Sequence, residues 1–226
     1  MVVLPRLAKF TINTILDYGS CTLVAHDWGG AIAWQVAIRH PDLVDKLIVC
    51  NCPHPAAFRK FLERSPKQMM KSWYMFFFQL PRLPELMMSA FDMGSLEKMF
   101  TDPKSGGCKN PNGFTPNDIE AFKYTFGKQD AFTPPINYYR ASFARRMQGA
   151  QRSGKTGTAT KVKPPVLIIW GTDDLALSTG MAQASSERCE SALVRYVDGA
   201  SHWVQNDDPG AVNSYMWQFL KGVEVE

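Results

Sequence analysis

No Gly-x-Ser-x-Gly segment occurs in the 226 residues, which disfavours a serine esterase. Cysteine is sparse: Cys21, Cys50, Cys52, Cys108 and Cys189 are odd in number, and none falls at zinc-ligand spacing. A disulfide framework and a structural zinc are therefore not expected, and a reducing compartment fits. Cys50 and Cys52, in or just after an apolar strand, are expected to pack. Charge of one sign is also lacking. Lys and Arg number 25 against 21 Asp and Glu, and the net charge of +4 is scattered. No basic stripe offers itself to nucleic acid. Long apolar runs are missing: the stretch from Trp73 to Leu80 has about 8 residues, far short of the ~20 needed to span a bilayer. The start, Met-Val-Val-Leu-Pro-Arg, has no apolar segment of signal-peptide length. The expected location is cytoplasmic, or membrane-associated through a segment upstream of this chain.

What is present is 45% hydrophobic residues, enough for one sizeable core with an inserted lid. Short apolar runs at 22–25, 46–51, 166–170 and 193–197 alternate with helical patterns at 5–18, 30–39, 178–188 and 208–221. Unbroken apolar strands alternating with helices predict an α/β fold with a mostly parallel sheet covered on both faces. Between Pro53 and residue 150 the composition turns to Met, Phe and Tyr, with no convincing strand. The organisation expected is a core part at 1–53, a helical lid at 54–150, a flexible basic connector at 151–163 and a second core part at 164–226. Trp73, Phe76, Phe77 and Leu80 have helical spacing and are expected in a core.

The most informative stretch is Leu23-Val24-Ala25-His26-Asp27-Trp28-Gly29-Gly30. An apolar strand runs into a sharp turn and a helix, the layout of a nucleophile elbow, with Asp27 at its tip. A carboxylate there attacks carbon and is left as an ester of the enzyme. Ala25 and Gly29, two residues either side, are small where strand and helix approach, and Gly30 lets the helix pack close. The free N–H groups of the new helix favour an anion at the tip. The alternative is an ordinary turn in which Asp27 caps the helix.

Asp174 lies just past the next strand after the helical block, and His202 just past the strand after that. Nucleophile, acid and histidine thus follow in the chain order of this fold, each at the C-terminal end of a strand. His-Asp-Trp-Gly-Gly, Gly-Thr-Asp-Asp and Ala-Ser-His-Trp-Val-Gln, over about residues 5–221, resemble the α/β-hydrolase-fold epoxide hydrolases. The resemblance implies lid tyrosines at Tyr74 and Tyr139 that donate to the epoxide oxygen while Asp27 attacks. It implies His202, held by Asp174, as the base that activates water on the ester. The Trp28 backbone N–H is the implied oxyanion donor. It favours Asp174 over the adjacent Asp173. An apolar epoxide and water are the implied partners, with no cofactor, no metal and no nucleic acid; membrane attachment and oligomeric state stay open.

His26 is expected to serve the elbow's structure, His40 a helix end and His54 a loop. Tyr138 and Tyr124 are expected to pack or line the lid, and nothing near Cys108 suggests activation. The family's upstream His-Gly-x-Pro loop, source of a second oxyanion donor, is not in this sequence. Only 26 residues precede Asp27, where the family places four strands. The expectation is an N-terminally shortened form that alkylates but hydrolyses its ester slowly, with β-edge exposure at 22–25. A haloalkane dehalogenase and a non-catalytic hydrolase-fold fragment are the competing readings.

Overall fold

The computed structural model describes residues 3–152 and 161–222. Strands β1 (Cys21–His26), β2 (Val44–Cys50), β3 (Val166–Gly171) and β4 (Ala192–Val197) pair in parallel in the order β1-β2-β3-β4. Strand alternation sends Leu47, Val49, Ile168 and Trp170 to one face of the sheet. There they meet helices α2 (Asp27–Arg39) and α9 (Gly180–Ser186). Ile48, Cys50, Leu167 and Ile169 point to the other face, against α10 (Val204–Asp207) and α11 (Pro209–Lys221). Every residue of β3 is buried, which is why that run is unbroken Val, Leu, Ile and Trp rather than alternating. Helix α1 (Val3–Phe10) continues into a π-helical turn, Thr11–Ile15, and packs on α2. Strand β1 is an edge, and its Val24 is 57% exposed.

Between β2 and β3 the described chain is helical: α3 (Pro55–Arg64), α4 (Pro66–Lys71), α5 (Trp73–Phe77), α6 (Leu83–Thr101, broken by non-helical backbone at Ala90 to Met93), α7 (Pro116–Phe126) and α8 (Thr133–Arg152). Local chemistry sets their starts. Pro occupies the first turn of α3, α4 and α7, where a missing N–H costs nothing. His54 and Ser65 accept from Ala56 N and Gln68 N, and Thr115 with Asp118 forms a capping box. A separate small core of Leu96, Phe100, Ile119, Phe132 and Ile136 holds α6, α7 and α8 together.

Two expectations fail here. Trp73, Phe76 and Leu80 are not core: they are exposed, while Tyr74 and Met75 on the same helix turn inward. Tyr124 is also exposed, with the Lys128 ammonium over its ring. Helical spacing shows that residues share a face; it does not say which way that face points. Helix α8 reaches Arg152, two residues into the expected connector, and Val162 makes a parallel bridge with Cys189. Most of the connector, residues 153–160, lies outside the described residues.

Candidate active site

Strand β1 ends at His26 in extended conformation, and Asp27 takes φ 49°, the left-handed region, before α2 begins. That backbone costs a non-glycine residue about 1–3 kcal/mol and is kept where the surroundings fix it. The helix cap position belongs to His26, without a side-chain capping bond, so Asp27 is not a cap. Its side chain stands clear of the turn, 43% exposed. The close approach falls on Gly30 rather than Gly29. A Cβ at Gly30 would lie 2.5 Å from Cys52 Cβ, whereas one at Gly29 would meet Ala25 Cβ at an ordinary 3.9 Å. Gly29 is thus less constrained than the turn alone suggests.

The three chemically distinctive residues from three strand ends meet in a line. His202 Nε2 lies 3.3 Å from Asp27 Oδ1, and His202 Nδ1 lies 2.8 Å from Asp174 Oδ2. Desolvation works against charge on His202, but the carboxylates of Asp174 and Asp27 outweigh it and push the imidazole up to about 10. Near neutrality His202 is therefore an imidazolium between two anions. Desolvation likewise opposes both carboxylates, yet the hydrogen bond and charge of His202 hold Asp27 and Asp174 below the usual carboxylate range. The Trp28 backbone N–H also donates to the Asp27 carboxylate. Asp173, by contrast, faces outward and pairs with Lys109.

Tyr74 from α5 and Tyr139 from α8 come together with ring centroids 5.7 Å apart and nearly perpendicular, near enough to Asp27 for its charge to act on both. The Trp28 indole stands edge-on to Tyr139 at 5.0 Å. Burial pushes both phenols up, and the nearby Asp27 charge adds to the effect, so both stay protonated donors. Arg140 fixes their separation. Its guanidinium donates to the carbonyls of Phe78 at 3.0 Å and Leu80 at 2.7 Å, beyond the end of α5, and pairs with Glu85 at 2.5 Å.

Residues that sequence reasoning missed hold the line in place. Asn51 is fully buried at the end of β2, with φ 42°. Its amide N–H donates to Asp174 Oδ2 at 2.7 Å, and its carbonyl accepts from Gly171 N at 3.1 Å. The other Asp174 oxygen accepts from Ala176 N and Leu177 N. Asp207 clamps the histidine loop to the helical block. One oxygen accepts from Ser201 N at 2.6 Å and Ser201 Oγ at 2.5 Å. The other accepts from Cys108 Sγ at 3.0 Å, Lys109 N at 2.5 Å and Asn110 N at 3.1 Å. Burial, and then the bond to Asp207, push the Cys108 thiol up to about 12. Gln68 and Lys71 reach from α4 to the acid loop, the former to Ala176 O and Ser178 N, the latter to Asp174 O. A polar Asn closing an apolar strand was the available signal for Asn51; Asp207 had none beyond its nearness to His202.

The remaining histidines do structural work. Burial lowers His26 to about 4, so it is neutral, and its Nε2–H donates to His202 O at 2.8 Å. Burial lowers His54 to about 4 as well, leaving Nδ1 free to accept from Ala56 N. Among the described residues no helix is long and apolar enough to cross a membrane.

A parallel sheet whose strand ends present a carboxylate on a left-handed elbow, a buried acid and a histidine has the architecture of the α/β-hydrolase fold. Residues 4–209 match the family model described as alpha/beta hydrolase fold. Epoxide hydrolase 1 of Caenorhabditis elegans is 45% identical over 206 residues, 91% of this chain and 49% of that protein. Epoxide hydrolase 4 of Homo sapiens is 38% identical over 214 residues, 93% of this chain and 57% of that protein. The crystal structure of Bacillus megaterium epoxide hydrolase with an inhibitor superposes with TM-score 0.80 at 30% identity, covering 97% of this chain and 75% of that one. The chain belongs to the α/β-hydrolase-fold epoxide hydrolase family, and it spans about half the length of the curated relatives it matches.

Proposed function

We propose that this chain carries the catalytic machinery of an epoxide hydrolase that converts an apolar epoxide to a vicinal diol through an ester on Asp27. The observation that carries the reading is the Asp27–His202–Asp174 line, at 3.3 and 2.8 Å, with two neighbouring phenols within reach of the Asp27 charge. We read the helical block at 54–150 as the lid that supplies those phenols. Its Met and Phe content suits an apolar substrate.

Asp27 attacks one epoxide carbon, the carbon–oxygen bond breaks, and Tyr74 or Tyr139 gives its proton to the released oxygen. The ester removes one of the two negative charges that raise His202, the smaller contribution of Asp27, and leaves Asp174 in place. The imidazolium then gives up its proton to restore the phenol, which leaves a neutral base. His202 takes a proton from water, and the hydroxide adds to the Asp27 carboxyl carbon, with the Trp28 N–H stabilising the oxyanion. Collapse releases the second oxygen of the diol, which takes the proton left on the Asp27 carboxyl. The nucleophile's own alkylation thus readies the base for the second step.

Incubation with an aryl epoxide followed by intact-mass spectrometry tests this. The His202→Gln variant should accumulate an adduct of epoxide mass on Asp27, and Asp27→Ala should give neither adduct nor diol. Diol release by Asp27→Ala would sink the reading.

A further inference from the structure

Gln68, on α4, is a completely buried amide outside the line of Asp27, His202 and Asp174. Its carbonyl accepts from Ser178 N at 2.9 Å and Ser178 Oγ at 2.8 Å. Its amide N–H groups donate to Ala176 O at 2.8 Å and to Ser72 Oγ at 3.0 Å. An amide has two donors and two acceptor lone pairs, so its capacity is filled. Burying such a group is costly unless it is paired in full. Here full pairing requires the acid loop and the end of α4 to keep one relative placement.

The two ends of this bridge lead to the two halves of the site. Ala176, whose carbonyl receives the Gln68 amide, donates its own N–H to Asp174 Oδ1 at 2.7 Å. Ser72, also completely buried, is the residue from which α5 starts, and Tyr74 lies two positions on. A second strut joins the same segments: Lys71 Nζ donates to Asp174 O at 2.7 Å. A helix of five residues has little stability of its own, so α5 takes its orientation from what holds its ends. Gln68 holds Ser72 at the start, and Arg140 holds Phe78 O at the finish. Tyr74 between them is near enough to both Asp27 and Asp174 for their charges to bear on its phenol.

We propose that Gln68 is a positioning residue, which ties the acid loop to the start of α5 and so sets where the Tyr74 hydroxyl stands relative to Asp27. The inference rests on the ring-opening role proposed above for Tyr74. Ring opening then depends on the bridge. Ester hydrolysis depends on it less, because Asn51 and His202 hold Asp174 Oδ2 independently of α4.

A double-mutant cycle in the His202→Gln parent, where adduct formation on Asp27 is read by mass spectrometry with an aryl epoxide, tests the assignment. Gln68→Met keeps an unbranched chain and removes the amide; it should slow adduct formation about tenfold. Added to Tyr74→Phe, it should slow the reaction less than about twofold, since the group it places is already gone. A general loosening of the fold would slow both backgrounds alike. Ser72→Ala removes one acceptor and should act in the same direction more weakly, which keeps the cycle usable if Gln68→Met does not fold. Fluorine NMR of the full chain carrying 3-fluorotyrosine gives a readout that needs no reaction. The Tyr74 signal, assigned by its loss in Tyr74→Phe, should shift or broaden in Gln68→Met and Ser72→Ala, while that of exposed Tyr124 stays in place. Equal slowing with and without Tyr74, or a Tyr74 signal unmoved by both variants, would overturn the assignment. A displaced Tyr74 signal with no adduct in the parent would support the bridge and sink the reaction proposed for Asp27 instead.

Discussion

Asn51 and His202 both donate to the same oxygen of Asp174, at 2.7 and 2.8 Å. That oxygen is therefore held from the sheet side by the residue that follows β2 and from the loop side by the imidazolium. With the other oxygen taken by Ala176 N and Leu177 N, the carboxylate has no rotational freedom. Asn51→Ala should leave the Gly171 N–H and one Asp174 lone pair unpaired in a buried site. A stability loss of about 1–3 kcal/mol is expected from urea unfolding. Ester hydrolysis should slow about tenfold or more while adduct formation changes less, which single-turnover mass spectrometry separates.

Asp207 gathers the histidine loop and the Cys108–Asn110 segment on one carboxylate. Asp207→Asn replaces one acceptor oxygen by a donor facing N–H groups. A loss of about 2–4 kcal/mol is expected, with faster hydrogen exchange at Ser201 and Asn110. Exchange unchanged at both positions would show that the clamp is not needed.

Gly30 and Gly29 should respond differently to the same methyl group. Gly30→Ala drives a Cβ to 2.5 Å from Cys52 Cβ in the core, and the helix must lift from the sheet. We expect about 1–3 kcal/mol of destabilisation and loss of activity through displacement of Asp27. Gly29→Ala meets only ordinary contact and should fold with nearly unchanged stability. Thermal melts of the two variants side by side decide the matter.

Acid sensitivity should begin well above the carboxylate range. Burial lowers His26 and His54 to about 4 from an ordinary 6.5. The unfolded chain therefore binds more protons than the folded one between those values. Stability should be full above about 6.5 and fall as pH drops toward 4, by up to about 3 kcal/mol per histidine. His202 has the opposite sign: raised to about 10, its contribution is complete below 6.5 and is lost as pH rises through 10. His54→Asn keeps an acceptor for Ala56 N and removes one titration, so its melting temperature should fall less between pH 6.5 and 4.

The parallel sheet, the elbow and the order of Asp27, Asp174 and His202 were legible in the chain because each is local. An unbroken apolar run, a strand-to-helix turn and a residue just past a strand end need no distant partner to be recognised. The choice of Asp174 over Asp173 rested on family likeness; folded, only one of two adjacent carboxylates turns inward to the histidine, and the other meets Lys109.

The sequence by itself determined the kinds of side chain available and the strand ends that carry them. It also determined the helical spacing of Trp73, Phe76 and Leu80, but not that this face looks outward, since periodicity is the same for either orientation. Tertiary structure alone decided which residues brace the site. Asn51 reaches Asp174 across 123 positions and Asp207 reaches Cys108 across 99. A buried carboxylate must collect donors from whatever elements pack around it, and those neighbours are set by how helices and strands stack rather than by their order in the chain.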